Sequence, residues 1–168
     1  MVQFLAQAKA KAVASSLQSG LVIGSDSTIA FRHVILGKPR DNSDAEQTLS
    51  MLRGEWHDVL SGVAVVDADT GRCVVSSVST KIKMRAYSDE ELRAYVETGE
   101  PLDKAGSYAI QGLGGRLVET LDGCFNNVVG LPLCELAKLL SGFGISPPIQ
   151  SPVCLLPDGR PCPRLRIP

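Results

Sequence analysis

Leu21-Val22-Ile23-Gly24-Ser25-Asp26-Ser27-Thr28 changes character halfway along. The first four residues read as a short strand buried on both faces, and the polar four stand at its carboxyl end. In α/β sheets ligands bind outside strand carboxyl ends. The octet therefore sets an α/β expectation and makes Asp26 the first candidate for chemistry.

Upstream, Phe4, Leu5, Ala8, Ala12 and Leu17 recur at near-helical spacing, and Gly20 stands where a helix C′ residue would. This acid-free stretch has some features of a transit peptide, but it lacks arginine and the apolar block of a secretory signal. It reads as an amphipathic helix. Downstream, Leu36-Gly37-Lys38-Pro39 is a loop, and Ser43 with Glu46 spells a capping box for a helix closed by Gly54. Val63 to Val66 and Cys73 to Met84 read as strands around the turn 67–72. In the second of these, Val78, Thr80, Ile82 and Met84 alternate with Ser79, Lys81, Lys83 and Arg85. Ser88 and Glu91 open another capped helix, with Leu92, Tyr95 and Val96 inward and Gly99 past its end. The glycine-rich stretch 99–115 is a loop, 116–121 a strand, and 133–140 a last helix ending at Gly142. Trp56 and His57 are assigned to packing, and Asn127 to the core.

The totals narrow the function. With 168 residues and a 44% hydrophobic share, the chain can build a sizeable core. Lys+Arg 17 against Asp+Glu 18 leaves no basic excess for a nucleic-acid backbone or a membrane surface. Any phosphate must be met by a few placed cations. Cys73, Cys124, Cys134, Cys154 and Cys162 form no CxxC pair and read as reduced thiols. With only His33 and His57 present, zinc and Ser-His-Asp chemistries are disfavoured. No apolar run is long enough to span a bilayer, and no export signal is visible, so the cytoplasm is the expected address. Seven of the ten prolines fall between Pro147 and Pro168. The expected organisation is a folded domain over 1–144 and a disordered proline-rich tail over 145–168.

Three polar clusters stand out: Gly24-Ser25-Asp26-Ser27, Gly37-Lys38-Pro39, and Asp103-Lys104-Ala105-Gly106 with Ile110-Gln111-Gly112. A carboxylate can hold a divalent cation and orient water, and lysines can neutralise phosphate oxygens. Taken singly, each also reads as an ordinary turn or loop, and Lys104 is as well suited to pairing with Asp103 as to phosphate.

Their order is more specific. Leu5-Ala6 with Lys9-Ala10, Val22 to Asp26, Leu36 to Pro39, Gly99 to Gly106, Ile110 to Gly112 and Asn127 to Leu133 follow one another in a pattern that strongly resembles the Maf family of nucleoside triphosphate pyrophosphatases. The resemblance covers about residues 1 to 144. It implies a mixed, curved sheet flanked by helices, and two lobes with a nucleotide cleft. It also implies cleavage of a nucleoside triphosphate to the monophosphate and pyrophosphate with a divalent cation, usually magnesium. The Asp-Lys-Ala-Gly and Ile-Gln-Gly wording resembles the branch acting on dTTP and UTP.

By position, Asp26 matches the family's catalytic acid, whose role is to accept a proton from water or to hold the metal that acidifies it. A free carboxylate is a feeble base at neutral pH, so the resemblance assigns much of the activation to the metal. Lys9 and Lys38 match lysines near the phosphates. Gln111 matches a position linked to base choice, and its amide suits the imide edge shared by uracil and thymine. Ser27 matches a substrate-binding position where threonine is usual, keeping the hydroxyl and losing the methyl. The partner expected is the nucleotide, with no nucleic acid and no membrane, and a homodimer is left open.

The family pattern also includes an opening strand and a Ser-Pro-Arg-Arg-type loop ahead of the first helix, and this sequence starts at that helix. Without those cations the chain as written is expected to have low or absent activity. The competing expectation is a catalytically impaired descendant that binds nucleotide or protein.

Overall fold

Helix α1, Val2–Ala14, is built around small residues. Val2, Ala6, Ala10 and Ala14 are buried, whereas Phe4, Leu5, Val13 and Leu17 are exposed. This corrects the expected inward face. The reason is backbone proximity: a Cβ on Gly24 would lie 2.3 Å from the Ala6 carbonyl oxygen, and one on Gly62 would lie 2.4 Å from that of Val2. A helix that close to two strands has room only for alanine-sized side chains at the contact.

The computed structural model describes residues 1–145, so the expected tail lies outside the described residues from 146 onward. Strands β1 (Leu21–Phe31), β2 (Val34–Leu36), β3 (Trp56–Asp67), β4 (Cys73–Met84) and β5 (Val118–Asp122) form one sheet in the order β2-β1-β3-β4-β5. β2 pairs antiparallel with β1, with Ile29 opposite Leu36, and β5 antiparallel with β4, with Ile82 opposite Leu121. Helices α2 (Asn42–Leu52), α3 (Asp89–Glu97), α4 (Phe125–Val129) and α5 (Leu133–Ser141) complete the α/β architecture. The chain divides into two units. One comprises Met1–Ser27, Leu60–Ser79 and the segment from Gly123; the other comprises Thr28–Val59 and Thr80–Asp122.

In the first unit the apolar run 63–66 is buried on both faces of β3. Ala64 and Val66 join Val22 beneath the alanines of α1. Val63 and Val65 pack with Leu136 and Leu139 of α5. In the second unit α2 contributes Ala45, Leu49 and Leu52, and α3 contributes Leu92, Tyr95 and Val96. Tyr87, 1% exposed, donates from its hydroxyl to the Leu49 carbonyl at 2.6 Å.

Several boundaries differ from those expected. β1 does not stop at Gly24 but runs through the polar cluster, because Thr28, Ile29 and Phe31 continue to be buried. The cluster is thus within a strand and not at its carboxyl end. α2 is capped by Asp41, whose Oδ1 accepts from the Asp44 N–H at 2.9 Å, and not by a Ser43–Glu46 box. A carboxylate at N-cap serves the N3 donor just as a serine would, but two residues earlier, so that the donor is Asp44 and not Glu46. The Ser88–Glu91 box is present in full, with the Ser88 N–H donating to Glu91 and the Glu91 N–H donating to Ser88 Oγ. The loop 99–115 contains 3-10 turns at Glu100–Asp103 and Ala105–Ser107, with a third starting at Leu113. Cys73, Cys124 and Cys134 are free thiols; Cys154 and Cys162 lie outside the described residues.

His57, assigned to packing, is buried on β3 with Nε2 2.7 Å from the Tyr108 hydroxyl. Its Nδ1 has no partner among the described residues. Burial pulls its pKa from 6.5 to about 4, against a smaller upward pull from Asp58. An unfolded histidine takes up a proton between these values that the folded one refuses, so stability falls as pH drops through 6.5 towards 4 and levels off below. Across that whole window the loss is about 3 kcal/mol. Thermal unfolding at pH 7 and pH 4.5 is expected to show it, with a shallower dependence in His57→Gln. The same pH dependence in both proteins would contradict a buried neutral imidazole.

Candidate functional site

The close approach of α1 to β1 decides what Lys9 can reach. Val22, Gly24 and Asp26 alternate along one face of β1, the face on which α1 lies. Lys9 Nζ donates to Asp26 Oδ1 at 2.7 Å. The Asp26 side chain is 16% exposed and that of Lys9 60% exposed. An ion pair this open contributes at most about 1 kcal/mol to stability. Its clearer effect is orientation: it holds one carboxylate oxygen, Oδ1, in place.

The opposite face of β1 carries Ser25 and Ser27. Ser25 Oγ lies 3.0 Å from the Gly62 carbonyl and 2.8 Å from that of Gly130, and its one proton is shared between them. Ser61 Oγ, fully buried, donates to the Asn127 carbonyl at 3.0 Å. Its proton is thereby used, so in the 2.6 Å contact between Ser27 and Ser61 it is Ser27 that donates. Ser25 and Ser61 thus satisfy carbonyls at the end of α4, where helical acceptors are left over, and Ser27 is tied in through Ser61. Asn127 is a core residue, as expected, and its block docks behind the strand that holds Asp26.

In the second unit the Gly106 N–H donates to the Gly37 carbonyl at 3.0 Å. That bond joins two blocks 70 residues apart in sequence, Gly37-Lys38-Pro39 and Asp103-Lys104-Ala105-Gly106. Lys104 Nζ donates to both Asp103 oxygens, at 2.7 and 2.8 Å, which is the pairing anticipated as its alternative role. The Lys104 ammonium, with Lys38 adding to the field, holds the Asp103 carboxyl below its ordinary range. Lys38 and Gln111 are exposed. A depression of about 380 Å³ lined by Trp56, His57, Asp58, Lys81 and Asp122 contains none of the candidate residues.

The candidates therefore fall into two groups, Lys9, Asp26 and Ser27 in one unit, and Lys38 and Gln111 in the other. Sequence reasoning passed over Ser61, Ser25's bonding and Glu100. Ser61 lies in a mixed polar-apolar run without a motif. Glu100 is visible only as the acid ahead of Pro101 in a block noted for Asp103 and Lys104.

No group of three His, Cys, Asp or Glu side chains that could hold a metal occurs among the described residues. That donor set does not make an all-protein cage. A single carboxylate such as Asp26 could hold a magnesium ion only together with substrate phosphates and water. No helix among the described residues is long and apolar enough to cross a membrane.

Comparison with known proteins gives a consistent answer. The chain is 47% identical over 138 residues to a dTTP/UTP pyrophosphatase of Dictyoglomus turgidum, covering 82% of this chain and 72% of that protein. It is 46% identical over 153 residues to a dTTP/UTP pyrophosphatase of Acetivibrio thermocellus, covering 87% and 76%. A dTTP/UTP pyrophosphatase of Clostridium botulinum is 41% identical over 148 residues, covering 86% and 76%. The profile of the Maf-like protein family matches residues 1–143, which include every candidate residue above, and the chain belongs to that family.

Proposed function

We propose that this protein hydrolyses dTTP and UTP to the nucleoside monophosphate and pyrophosphate. The observation that carries the reading is the Asp26 carboxylate, oriented by Lys9 on a strand whose other face is locked to α4. The names of the relatives support the substrate class. In the reaction a water oxygen bonds to the α-phosphorus, the bond from that phosphorus to the α–β bridging oxygen breaks, and pyrophosphate leaves. Asp26 aligns the water and takes its proton. Lys9 and Lys38 offset the charge that grows on the departing pyrophosphate. Ser27 holds the strand beside Asp26. Asp26 and the substrate phosphates would hold a magnesium ion, which would supply charge neutralisation and a more acidic water. A cytoplasmic location, where nucleotides and reduced thiols coexist, fits this role.

The direct test is product analysis with a panel of nucleoside triphosphates and magnesium. Pyrophosphate and monophosphate are expected, with the highest kcat/KM for UTP and dTTP. Release of orthophosphate would exclude α–β cleavage, and binding without turnover would make the chain a nucleotide-binding module instead.

Gln111 reads the base through its amide. Gln111→Ala is expected to lower the kcat/KM preference for UTP over CTP by about three- to tenfold, the worth of a net hydrogen bond. An unchanged preference would remove Gln111 from base recognition.

A further inference from the structure

Gln111 stands at the tip of a segment whose backbone is held from both ends by two side chains. Tyr95, on α3 and 6% exposed, accepts the Ala109 N–H at its hydroxyl at 3.3 Å and donates that hydroxyl to Glu100 Oε1 at 3.0 Å. Glu100 Oε1 also accepts the Gly114 N–H at 3.2 Å, and Oε2 accepts the Leu113 N–H at 2.9 Å. The Gly112 N–H closes the turn onto the Ala109 carbonyl at 3.2 Å. The fit leaves no spare volume. A Cβ on Gly112 would be 2.4 Å from Glu100 Oε1, and one on Gly114 would be 2.5 Å from the Tyr95 hydroxyl oxygen.

Three N–H donors thus converge on one acceptor pair, and the residue between them, Gln111, keeps its side chain free of that scaffold. Burial pushes the Glu100 carboxyl up, but the Leu113 and Gly114 N–H groups and the Tyr95 hydroxyl outweigh it and hold the pKa below the ordinary value. Glu100 is therefore charged at neutral pH, and each of the three bonds that its carboxylate accepts is charge-assisted.

We propose that Glu100, acting with Tyr95, is the positioning residue for pyrimidine selection: it fixes the turn 109–114 so that the Gln111 amide meets the base in one orientation. The inference rests on the reading of Gln111 as the base-contacting residue. Neither Glu100 nor Tyr95 touches substrate in this account, so removing the clamp should erode selectivity before it erodes folding.

Calorimetric titration with α,β-methylene-UTP and α,β-methylene-CTP in magnesium measures selectivity without turnover. Gln111→Ala is expected to lower the UTP:CTP affinity ratio about three- to tenfold. Glu100→Gln, which keeps the volume but loses one acceptor oxygen and the charge, is expected to lower it to a similar extent. The double variant should show no further fall, as residues acting as one unit are non-additive. If Gln111→Ala leaves the ratio unchanged, the base-reading role falls, and the positioning role with it. A lowered ratio in Gln111→Ala with an unchanged one in Glu100→Gln overturns the positioning role alone. Should Glu100→Gln fail to fold, Tyr95→Phe removes only the bridging hydroxyl. It is expected to speed hydrogen exchange at the Ala109, Leu113 and Gly114 amides and to lower the ratio. Faster exchange with an unchanged ratio, or unchanged exchange, overturns the proposal.

Discussion

Asp26→Asn is expected to reduce pyrophosphate release from UTP by about 10²- to 10⁴-fold, the range for removing a positioned proton acceptor. The substitution keeps the shape of the side chain and removes its charge. Its partner Lys9 is largely exposed, so water can solvate the ammonium once the carboxylate is gone. The stability change should stay within about 1 kcal/mol, and lost activity would then report on chemistry and not on unfolding. Kinetics with magnesium beside a thermal melt separate the two. Activity within about threefold of the parent protein, against a 10²-fold expectation, would remove Asp26 from the catalytic role.

The largest effect on stability is expected at Gly62. In Gly62→Ala the new methyl carbon would sit 2.4 Å from the Val2 oxygen and 2.5 Å from the Val2 carbonyl carbon, which are backbone atoms that no rotamer change can move. The helix must lift, and the alanine face packed on Val22, Ala64 and Val66 lifts with it. Overpacking of this kind costs about 3 kcal/mol or more. For a chain of this size that lowers Tm by roughly 6–12 °C. Gly37→Ala is the control, since nothing lies within 4 Å of its added Cβ. Equal Tm values for the two variants would mean that α1 is not held by backbone proximity. Gly24→Ala, 2.3 Å from the Ala6 oxygen, should behave like Gly62→Ala and also draw Lys9 away from Asp26.

Helices α2 and α3 and strand β4 were legible because each advertises itself locally. Alternation from Val78 to Arg85 and the Ser88–Glu91 box are patterns whose physics lies within a few residues. The face of α1 was not legible, because what decides it is two glycines on other strands. Phe4 and Leu5 look like core residues until a strand backbone takes their place beside Ala6. β1 was cut short for the reverse reason. Ser25 and Ser27 read as the end of a strand, but the Ser25 hydroxyl is matched by a carbonyl 105 residues away and that of Ser27 by Ser61. The candidate residues themselves came from the order of several blocks, not from any one motif. Their supports did not, because Glu100 and Ser61 act through backbone groups that carry no residue-type signature.

The first unit has a further consequence, which concerns the order of events as the chain emerges during synthesis. β3 is buried by α1 on one face and by α5 on the other, so its two covers flank it in sequence near the two ends of the described residues. When Val63 and Val65 leave the ribosome, their partners Leu136 and Leu139 are still about 70 residues from being made. Until then one side of the strand is a sticky apolar surface with nothing of its own to rest on. Closure over such sequence distances is slow compared with a helical bundle. This part of the molecule thus waits longest for its partners, whereas every residue of the second unit has been made once Asp122 emerges.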